Sequence, residues 1–389
     1  MVLDPNFILK VVLTLLCAAV LSLAATPLVK YLAHSVGAMD IPKDDRRMHK
    51  NPIPRMGGLA IFLGFLISVL IFVDIDAKVR GILLGAVVIL ILGVLDDILT
   101  LRAIPKFLVQ IVAAVIVVCH GCCIDQIFGW VLPDWLSYVA SVLWIVAMTN
   151  AVNFIDGLDG LAAGVSAISA GAMLVVALLL VPQGNSAVSA LLLAAVVGGC
   201  IGFIPYNFSP AKIFMGDTGS NFLGFILASI SIFGLFKTYA FISFAVPFLV
   251  LGLPLFDICF AVIRRLARGQ SPMHADRGHF HHRLIDMGFS QKQAVSICYL
   301  LTAILGLAAV TLTGRRFEQV LIVAGALALV VAIGFVLVFN RHHHQVVEEA
   351  ALKNAAGEVA PAEQAASEET DAASEGAAQI QQEDEDEKA

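Results

Sequence analysis

Apolar segments long enough, or nearly long enough, to cross a lipid bilayer recur along most of this sequence. A transmembrane helix needs about 20 mostly apolar residues. Such runs lie at residues 8–32, 57–73, 81–98, 107–122, 136–154, 161–181, 188–205, 220–236, 240–263, 294–313 and 319–339. The composition, 59% hydrophobic and 14% charged, agrees with this pattern. The sequence therefore predicts an all-α, polytopic integral membrane protein with about ten or eleven transmembrane helices.

The chain divides into two parts of unlike composition. Residues 1–345 contain every apolar run, and we interpret them as one membrane-embedded domain. Residues 346–389 consist mainly of Ala, Glu, Gln, Asp and Ser. Such a segment has too few large apolar side chains to bury a core, so we expect an acidic, disordered cytoplasmic tail.

The distribution of positive charge predicts the orientation in the membrane. If the N-terminus lies outside, the inside loops carry fourteen Lys and Arg residues and the outside connections carry five. Cytoplasmic loops are enriched in Lys and Arg. We therefore expect the N-terminus outside and the C-terminus in the cytoplasm.

The polar segments then fall on the cytoplasmic side, at 40–58, 96–106, 150–160, 207–221 and 264–292. This one-sidedness favours an active site that is formed by cytoplasmic loops and processes a cytoplasmic substrate at the membrane surface. A secondary transporter is the alternative. It would be expected to place polar groups near the bilayer midplane, often in repeated halves, and the sequence has no convincing internal repeat.

Segment 150–160 places two carboxylates, two amides and two glycines between two long apolar runs. An ionisable side chain at membrane depth costs at least about 2.5 to 3.5 kcal/mol, so packing alone does not explain two of them. On a helix, Asp156 and Asp159 would share one face and could converge on one cation. A polar loop between two spans, in which both carboxylates are solvated, is the other interpretation.

Two adjacent aspartates, Asp96 and Asp97, end the third apolar run. Adjacent residues on a helix point about 100° apart, so we expect the two side chains to have different roles. A structural pair is the alternative. A carboxylate at a helix C-terminus is disfavoured by the helix dipole, which calls for a compensating cation nearby.

Segment 214–220 reads Phe-Met-Gly-Asp-Thr-Gly-Ser and leads into an apolar run. Asp217 offers another hard oxygen ligand, and the glycines would let the backbone come near a phosphate. Phe214 could stack on a base, with core packing as the default interpretation.

Two basic segments complete the pattern. In loop 40–58, Lys50 and Arg55 are phosphate-binding candidates, and the two glycines that follow would let backbone N–H groups approach an anion. Charges that only set the topology are the alternative. Segment 274–283 holds four imidazoles and two guanidiniums, which suit a diphosphate or a sugar, with zinc as the competing ligand. Together the segments predict a magnesium and diphosphate site, because Mg²⁺ is usually held by one or two carboxylates plus substrate phosphates.

Four motifs carry a family resemblance: Asp96-Asp97, Asn-Phe-Ile-Asp-Gly-Leu-Asp-Gly-Leu at 153–161, the run at 214–220, and His-Phe-His-His-Arg at 279–283. In this order, and across roughly residues 8–340, they resemble the polyprenyl-phosphate N-acetylhexosamine-1-phosphate transferases. Members that act on a muramyl-pentapeptide nucleotide carry three consecutive histidines and an acidic residue at the last motif. The pattern here resembles the branch that uses UDP-N-acetylglucosamine, with the muramyl-pentapeptide branch as the alternative.

The resemblance implies a role for each motif. Asp217 would bind Mg²⁺, with Asp159 as a second ligand and Mn²⁺ as a substitute metal. Asp96 and Asp97 would face the lipid phosphate. The implied catalytic residues are Asp96, Asp97, Asp217 and His279, and the implied substrate-binding residues are Lys50, Asn153, Asp156, Gly157, Leu158, Asp159, Asn207, Phe214, His282 and Arg283.

The implied reaction transfers N-acetylglucosamine 1-phosphate from UDP-N-acetylglucosamine to undecaprenyl phosphate and releases UMP, as the first membrane step of an envelope glycan. The resemblance places the protein among the lipids of the bacterial inner membrane, allows a homodimer and implies no nucleic acid. At pH 7 the phosphate monoester of the acceptor is mostly a dianion, so a general base has little to do. This favours direct in-line attack, with Asp97 positioning the acceptor, over a covalent aspartyl-phosphate route.

Overall fold

Helices make up almost all of the described chain. The computed structural model describes residues 4–41, 52–127, 130–181, 187–235, 242–267, 269 and 279–313. Its helices are α1 (Pro5–Ser35), α2 (Gly58–Phe72), α3 (Ala77–Leu99), α4 (Ala103–Cys119), α5 (Asp134–Ile155), α6 (Leu161–Leu180), α7 (Ala187–Asn207), α8 (Gly216–Ile230), α9 (Ile242–Val250), α10 (Gly252–Ala267), α11 (Phe280–Asp286) and α12 (Gln291–Thr313). A π-helical turn, Ser231–Leu235, extends α8. Two-residue strands form antiparallel ribbons, β1 (Met39–Asp40) with β2 (Ile53–Pro54) and β3 (Gln126–Ile127) with β4 (Trp130–Val131).

Within the described residues, six helices are long and apolar enough to span a membrane, namely α1, α3, α5, α6, α7 and α12. Helices α2 and α4 are shorter apolar helices. The prediction of an all-α, polytopic membrane protein is confirmed. The predicted run at 319–339 and the acidic tail at 346–389 lie outside the described residues.

The apolar run predicted as one helix over 240–263 is two helices, α9 and α10, which meet at Leu251. Pro254 has no backbone N–H, so it cannot donate to the carbonyl of Val250, four residues earlier. Ser169 of α6 satisfies that carbonyl instead, because its hydroxyl donates to it at 2.8 Å. A side chain of a neighbouring helix thus stabilises the break, as the backbone of a membrane helix requires.

Helix α8 is central to the bundle. Every residue from Thr218 to Ile230 is buried, and α2, α3 and α5 pack around the helix. A helix without a polar face is expected in such a position. Helix α1, in contrast, exposes a row of leucines and valines, as a lipid-facing helix does.

Small residues bring α2 and α3 very close to the first turn of α8. A Cβ atom on Gly58 of α2 would lie 2.0 Å from the Cα of Gly219, and one on Gly93 of α3 would lie 2.4 Å from the Cα of Thr218. Small residues of this kind let membrane helices pack backbone to backbone. The first turn of α8, which carries Asp217, is therefore fixed between two neighbouring helices.

Gly58→Ala is expected to lower the stability of the folded protein. The added methyl group would overlap the backbone of Gly219, and overpacking of this kind costs about 1–3 kcal/mol. Gly171→Ala on α6 is the matched control, since no atom lies within 4 Å of the added Cβ. Apparent unfolding temperatures of the two purified variants in detergent measure the difference. Equal temperatures would contradict the close packing.

Candidate active site

A cavity of about 450 Å³ lies where the predicted polar segments meet at one end of the bundle. Ten of the predicted site residues line it: Asp97, Asn153, Asp156, Gly157, Leu158, Asp159, Asn207, Phe214, Asp217 and His282. Further described residues line it as well, namely Asp40, Arg55, Gly216, Ile285, Asp286 and Gln291. The predicted site residues that do not line the cavity are Asp96, His279 and Arg283, and Lys50 lies outside the described residues.

Asp97 binds the N-terminus of α8. Its Oδ1 accepts a hydrogen bond from the backbone N–H of Asp217 at 2.9 Å. Its Oδ2 accepts two from Thr218, from the backbone N–H at 3.0 Å and from the hydroxyl at 2.6 Å. The first N–H groups of a helix lack intrahelical partners, and the helix dipole favours negative charge beside them. Asp97 therefore caps α8 from another helix.

Gly216, just before Asp217, allows this contact. Its φ of +71° lies in the left-handed region, which glycine adopts at no steric cost. A Cβ at this position would also lie 2.4 Å from the carboxylate of Asp97. Glycine is required at position 216 by both its conformation and its neighbour.

Asp96 has different partners. One carboxylate oxygen accepts a hydrogen bond from the backbone N–H of Leu101 at 2.7 Å, and the other binds the ammonium group of Lys106. The same ammonium group lies 3.2 Å from Oδ2 of Asp217. The two adjacent aspartates therefore have different partners, and Lys106 is the compensating cation.

Asp217 presents its carboxylate to the cavity. Its side chain is 29% exposed, whereas Asp97 is buried. One oxygen accepts a hydrogen bond from Nδ2 of Asn153, and the other faces Lys106. The carboxylate is thus held in place by two side chains and remains accessible to a ligand.

Buried amides support Asp217 from within the bundle. Asn221 donates to the backbone carbonyl of Asp217 at 2.9 Å. Gln110 donates to Asn221 at 3.2 Å, and Asn150 donates to Gln110 at 2.6 Å. Such a chain of amides is costly inside a bundle unless its members satisfy one another.

Lys106 and Gln110 were not among the predicted site residues. A lysine in the first turn of a helix opposes the helix dipole, as Lys106 does in α4. Gln110 is an amide within an apolar run, where an unpaired polar group is expensive. Both features, a lysine at a helix start and an amide in an apolar run, can be read from the sequence, but neither shows which residue it binds.

The two aspartates of segment 150–160 lie in a turn and share no helix face. Helix α5 ends at Ile155 and α6 begins at Leu161. Gly160, the residue just before α6, has a φ of +78°, a left-handed conformation that is not helical and that glycine adopts without steric cost. The two aspartates therefore lie in a loop between two spans and share no helix face, but Asp156 is not freely solvated as the loop interpretation expected.

Asp159 and Asn207 tie this turn to the segment after α7. Oδ2 of Asp159 accepts a hydrogen bond from the backbone N–H of Ala211 at 3.0 Å. Oδ1 of Asn207 accepts one from the backbone N–H of Gly160 at 3.1 Å. Through these contacts Asp159 and Asn207 stabilise the cavity wall.

Negative charge accumulates at the cavity. Loss of hydration on burial, followed by repulsion from the carboxylates of Asp217, Asp97 and Asp159, raises the pKa of Asp156 to about 8. Burial and neighbouring carboxylates both favour the neutral form of this carboxyl group. A bound cation would favour its charged form.

Backbone pairing fixes Phe214 in the cavity wall. Its N–H donates to the carbonyl of Pro54 at 2.8 Å, and its carbonyl accepts from the N–H of Gly57 at 2.9 Å. The N–H of Gly58 donates to the carbonyl of Met215 at 2.9 Å. Because both glycine N–H groups are bound within the protein, the prediction that they approach an anion is wrong.

The β1–β2 ribbon brings a guanidinium to the cavity. Arg55 follows β2 and forms an ion pair with Asp40 of β1. Both side chains line the cavity. The phosphate-binding candidate Arg55 is therefore already paired, and a phosphate would have to compete with Asp40 for it.

The histidine motif forms the short helix α11. His282 lines the cavity, whereas Arg283 is exposed. His281 is buried against the turn after α5, because a Cβ on Gly157 would lie only 2.3 Å from its Nε2. Burial lowers the pKa of His281 to about 3, so its ring is neutral.

His279 binds Asp257 of α10, with 2.8 Å between Nδ1 and Oδ2.

The described residues contain no group of three or more His, Cys, Asp or Glu arranged to hold a metal ion. The zinc alternative therefore has no support in that part of the chain. His274, which belongs to the same motif region, lies outside the described residues.

The cavity thus combines several carboxylates with a guanidinium, an imidazole and an aromatic side chain. Comparison with known proteins identifies the family, because residues 79–235 match glycosyl transferase family 4. A Bacillus subtilis protein named probable undecaprenyl-phosphate N-acetylglucosaminyl 1-phosphate transferase is 40% identical over 316 residues, which cover 80% of this chain and 87% of the relative.

Two other relatives represent neighbouring branches. A Mycolicibacterium smegmatis protein named decaprenyl-phosphate N-acetylglucosaminephosphotransferase is 36% identical over 357 residues, covering 83% of this chain and 87% of the relative. A Limosilactobacillus reuteri protein named phospho-N-acetylmuramoyl-pentapeptide-transferase is 33% identical over 244 residues, covering 58% of this chain and 75% of the relative.

The chain therefore belongs to glycosyl transferase family 4. It is a multi-pass bacterial membrane protein of the phosphoglycosyl transferase type. The resemblance inferred from the four motifs is confirmed, while the roles assigned to individual residues stay predictions.

Asp97→Asn is expected to destabilise the protein. The Asn side chain has one acceptor oxygen and no charge, so it binds the N–H and hydroxyl donors at the start of α8 more weakly than the carboxylate does. Losing a hydrogen bond to a charged group costs about 1.5–3 kcal/mol. Asp217→Asn retains the backbone N–H that binds Asp97, so it should change stability less. Apparent unfolding temperatures in detergent compare the two variants. A drop confined to Asp217→Asn would contradict the capping role.

Proposed function

We propose that this protein transfers N-acetylglucosamine 1-phosphate from UDP-N-acetylglucosamine to undecaprenyl phosphate and releases UMP. The Bacillus subtilis relative is named for this reaction. The observation that carries the proposal is the position of Asp217, a partly exposed carboxylate held by Asn153 and Lys106 in a cavity that Phe214 also lines. The diphosphate of the donor would lie near Asp217, and its uracil would stack on Phe214.

Mg²⁺ fits the oxygen ligands at Asp217, since one or two carboxylates plus substrate phosphates usually hold it. Asp217 would be the main ligand. Asp156, which lines the same cavity, would be the second. Asp159, the second ligand implied by the resemblance, has one oxygen bound to Ala211 and would contribute less. When bound, Mg²⁺ would neutralise charge on the phosphoryl oxygens.

The transfer proceeds by attack of a phosphate oxygen of undecaprenyl phosphate on the phosphorus that carries the sugar. The bond from that phosphorus to the leaving oxygen of UMP breaks. Lys106 supplies positive charge beside Asp217, where negative charge develops during transfer. Asp97 accepts three hydrogen bonds from α8. Because both of its carboxylate oxygens are hydrogen-bonded, direct in-line attack is favoured over formation of an aspartyl-phosphate on Asp97.

The cavity lies on the cytoplasmic side of the inner membrane in this proposal. The positive-inside rule supports that orientation, because the loops that the sequence predicts inside carry fourteen Lys and Arg residues and the predicted outside connections carry five. The phosphate head of the acceptor would reach the cavity while its polyprenyl chain stays in the bilayer.

UMP release by the purified protein tests the proposal. The protein receives undecaprenyl phosphate, Mg²⁺ and either UDP-N-acetylglucosamine or the muramyl-pentapeptide nucleotide. We expect release with the first donor only. In Asp217→Asn the rate should fall at least about 100-fold, the loss typical of removing a group that stabilises transition-state charge. Asp134→Asn is the control, because Asp134 is exposed at the end of α5 away from Asn153, and it should match the unchanged protein.

Two other outcomes would contradict the proposal in different ways. Release with the muramyl-pentapeptide nucleotide would keep the chemistry and assign the protein to the branch that the Limosilactobacillus reuteri relative represents. Substrate flux across vesicles without any UMP release would favour the secondary transporter.

A further inference from the structure

Asp257 is a buried carboxylate that the reaction above does not use. It lies on α10 and is 6% exposed, on the side of the helix that also buries Ala261 and Arg265. The other side of α10 exposes large apolar side chains, among them Phe256 and Phe260. A buried carboxylate is costly unless its oxygens are hydrogen-bonded, so the partners of Asp257 indicate its function.

Both oxygens of Asp257 bind the start of α11. Oδ2 lies 2.8 Å from Nδ1 of His279, and Oδ1 accepts a hydrogen bond from the backbone N–H of Phe280 at 2.8 Å. His279 is the N-cap residue of α11, and its own side chain makes no capping hydrogen bond. Asp257 supplies the side-chain oxygen that an N-cap residue usually provides.

The same contact fixes the proton on His279. An ionised carboxylate only accepts hydrogen bonds, so Nδ1 carries the hydrogen and Nε2 is the nitrogen left for another partner. Ring contacts fix the plane of the imidazole. The ring centroid of Phe154 lies 5.5 Å away, and that of His281 lies 5.9 Å away in a stacked arrangement. Tautomer and orientation are therefore both set.

The position of α11 determines part of the cavity wall. His282, three residues after His279, lines the cavity. His281 packs against Gly157, in the turn that also carries Asp156. A shift of α11 at its first turn would move these groups together.

We propose that Asp257 is a positioning residue of the active site. It fixes the Nδ1 proton of the buried His279 and the first turn of α11, and through them it positions His282, which lines the cavity, for the sugar diphosphate of the donor. This inference rests on the proposed function. Asp257 itself does not touch the substrate and lies outside the four sequence motifs.

Asp257→Asn separates positioning from a purely structural role. The amide oxygen can still accept from Phe280, whereas the amide NH₂ meets Nδ1 of His279 and moves the ring proton to Nε2. The unfolding temperature should stay close to that of the unchanged protein. The kcat for UMP release should fall about 10- to 100-fold, the size of loss seen when the partner that orients a metal-ligating histidine is removed. The KM for undecaprenyl phosphate should not change. Phe260→Leu, on the exposed side of α10, is the matched control.

A double-mutant cycle with His279→Ala decides whether Asp257 acts through His279. Residues that act as one unit are not additive, so Asp257→Asn should cause no further loss of kcat in the His279→Ala background. If the two losses of kcat multiply, the inference is overturned. Full activity of folded Asp257→Asn, or of His279→Ala, would overturn it as well. In each of these cases UMP release by the unchanged protein would leave the proposed function intact. No UMP release by the unchanged protein would overturn both.

Discussion

The contact between Asp97 and the N-terminus of α8 is the interaction on which the site depends. From Thr218 onward α8 is buried on all sides, and a buried N–H group without a partner costs about 1–3 kcal/mol. A carboxylate from α3 accepts hydrogen bonds from the N–H groups at the start of α8. The same carboxylate binds the backbone N–H of Asp217 and so fixes that residue at a helix end that opens to the cavity. One side chain therefore contributes both to the stability of α8 and to the placement of the main candidate ligand.

Charge pairing explains why negative charge remains in one part of the cavity. Carboxylates around the site are paired with cations or a histidine, as in Asp96 with Lys106, Asp40 with Arg55, and Asp257 with His279. The carboxyl group of Asp156 instead has a pKa raised to about 8 by burial and by its acidic neighbours. Asp156, Asp159 and Asp217 line the cavity where the proposal places a divalent cation and a diphosphate. The ion pairs fix the geometry, and a bound cation would favour the charged forms of these carboxylates.

Hydropathy predicted the helices of the bundle closely, as at α3, expected over 81–98 and found at Ala77–Leu99. An apolar run of bilayer length forms a helix because a helix satisfies all of its backbone hydrogen bonds within the segment. Ionisable residues in such runs are easily recognised in the sequence, because placing them in the membrane costs free energy. Contacts between distant segments were not predictable. Asp97 and Thr218 are 121 positions apart, and no local pattern shows which helix ends meet. The break between α9 and α10 likewise depends on Ser169, a partner from another helix.

The most direct test of this account is a structure of the protein with UDP-N-acetylglucosamine and Mn²⁺, in which anomalous scattering locates the metal. We expect a metal peak at bonding distance from the carboxylate of Asp217, with the donor diphosphate completing its ligands and the uracil against Phe214. A metal bound without Asp217, or a nucleotide bound elsewhere in the bundle, would contradict it.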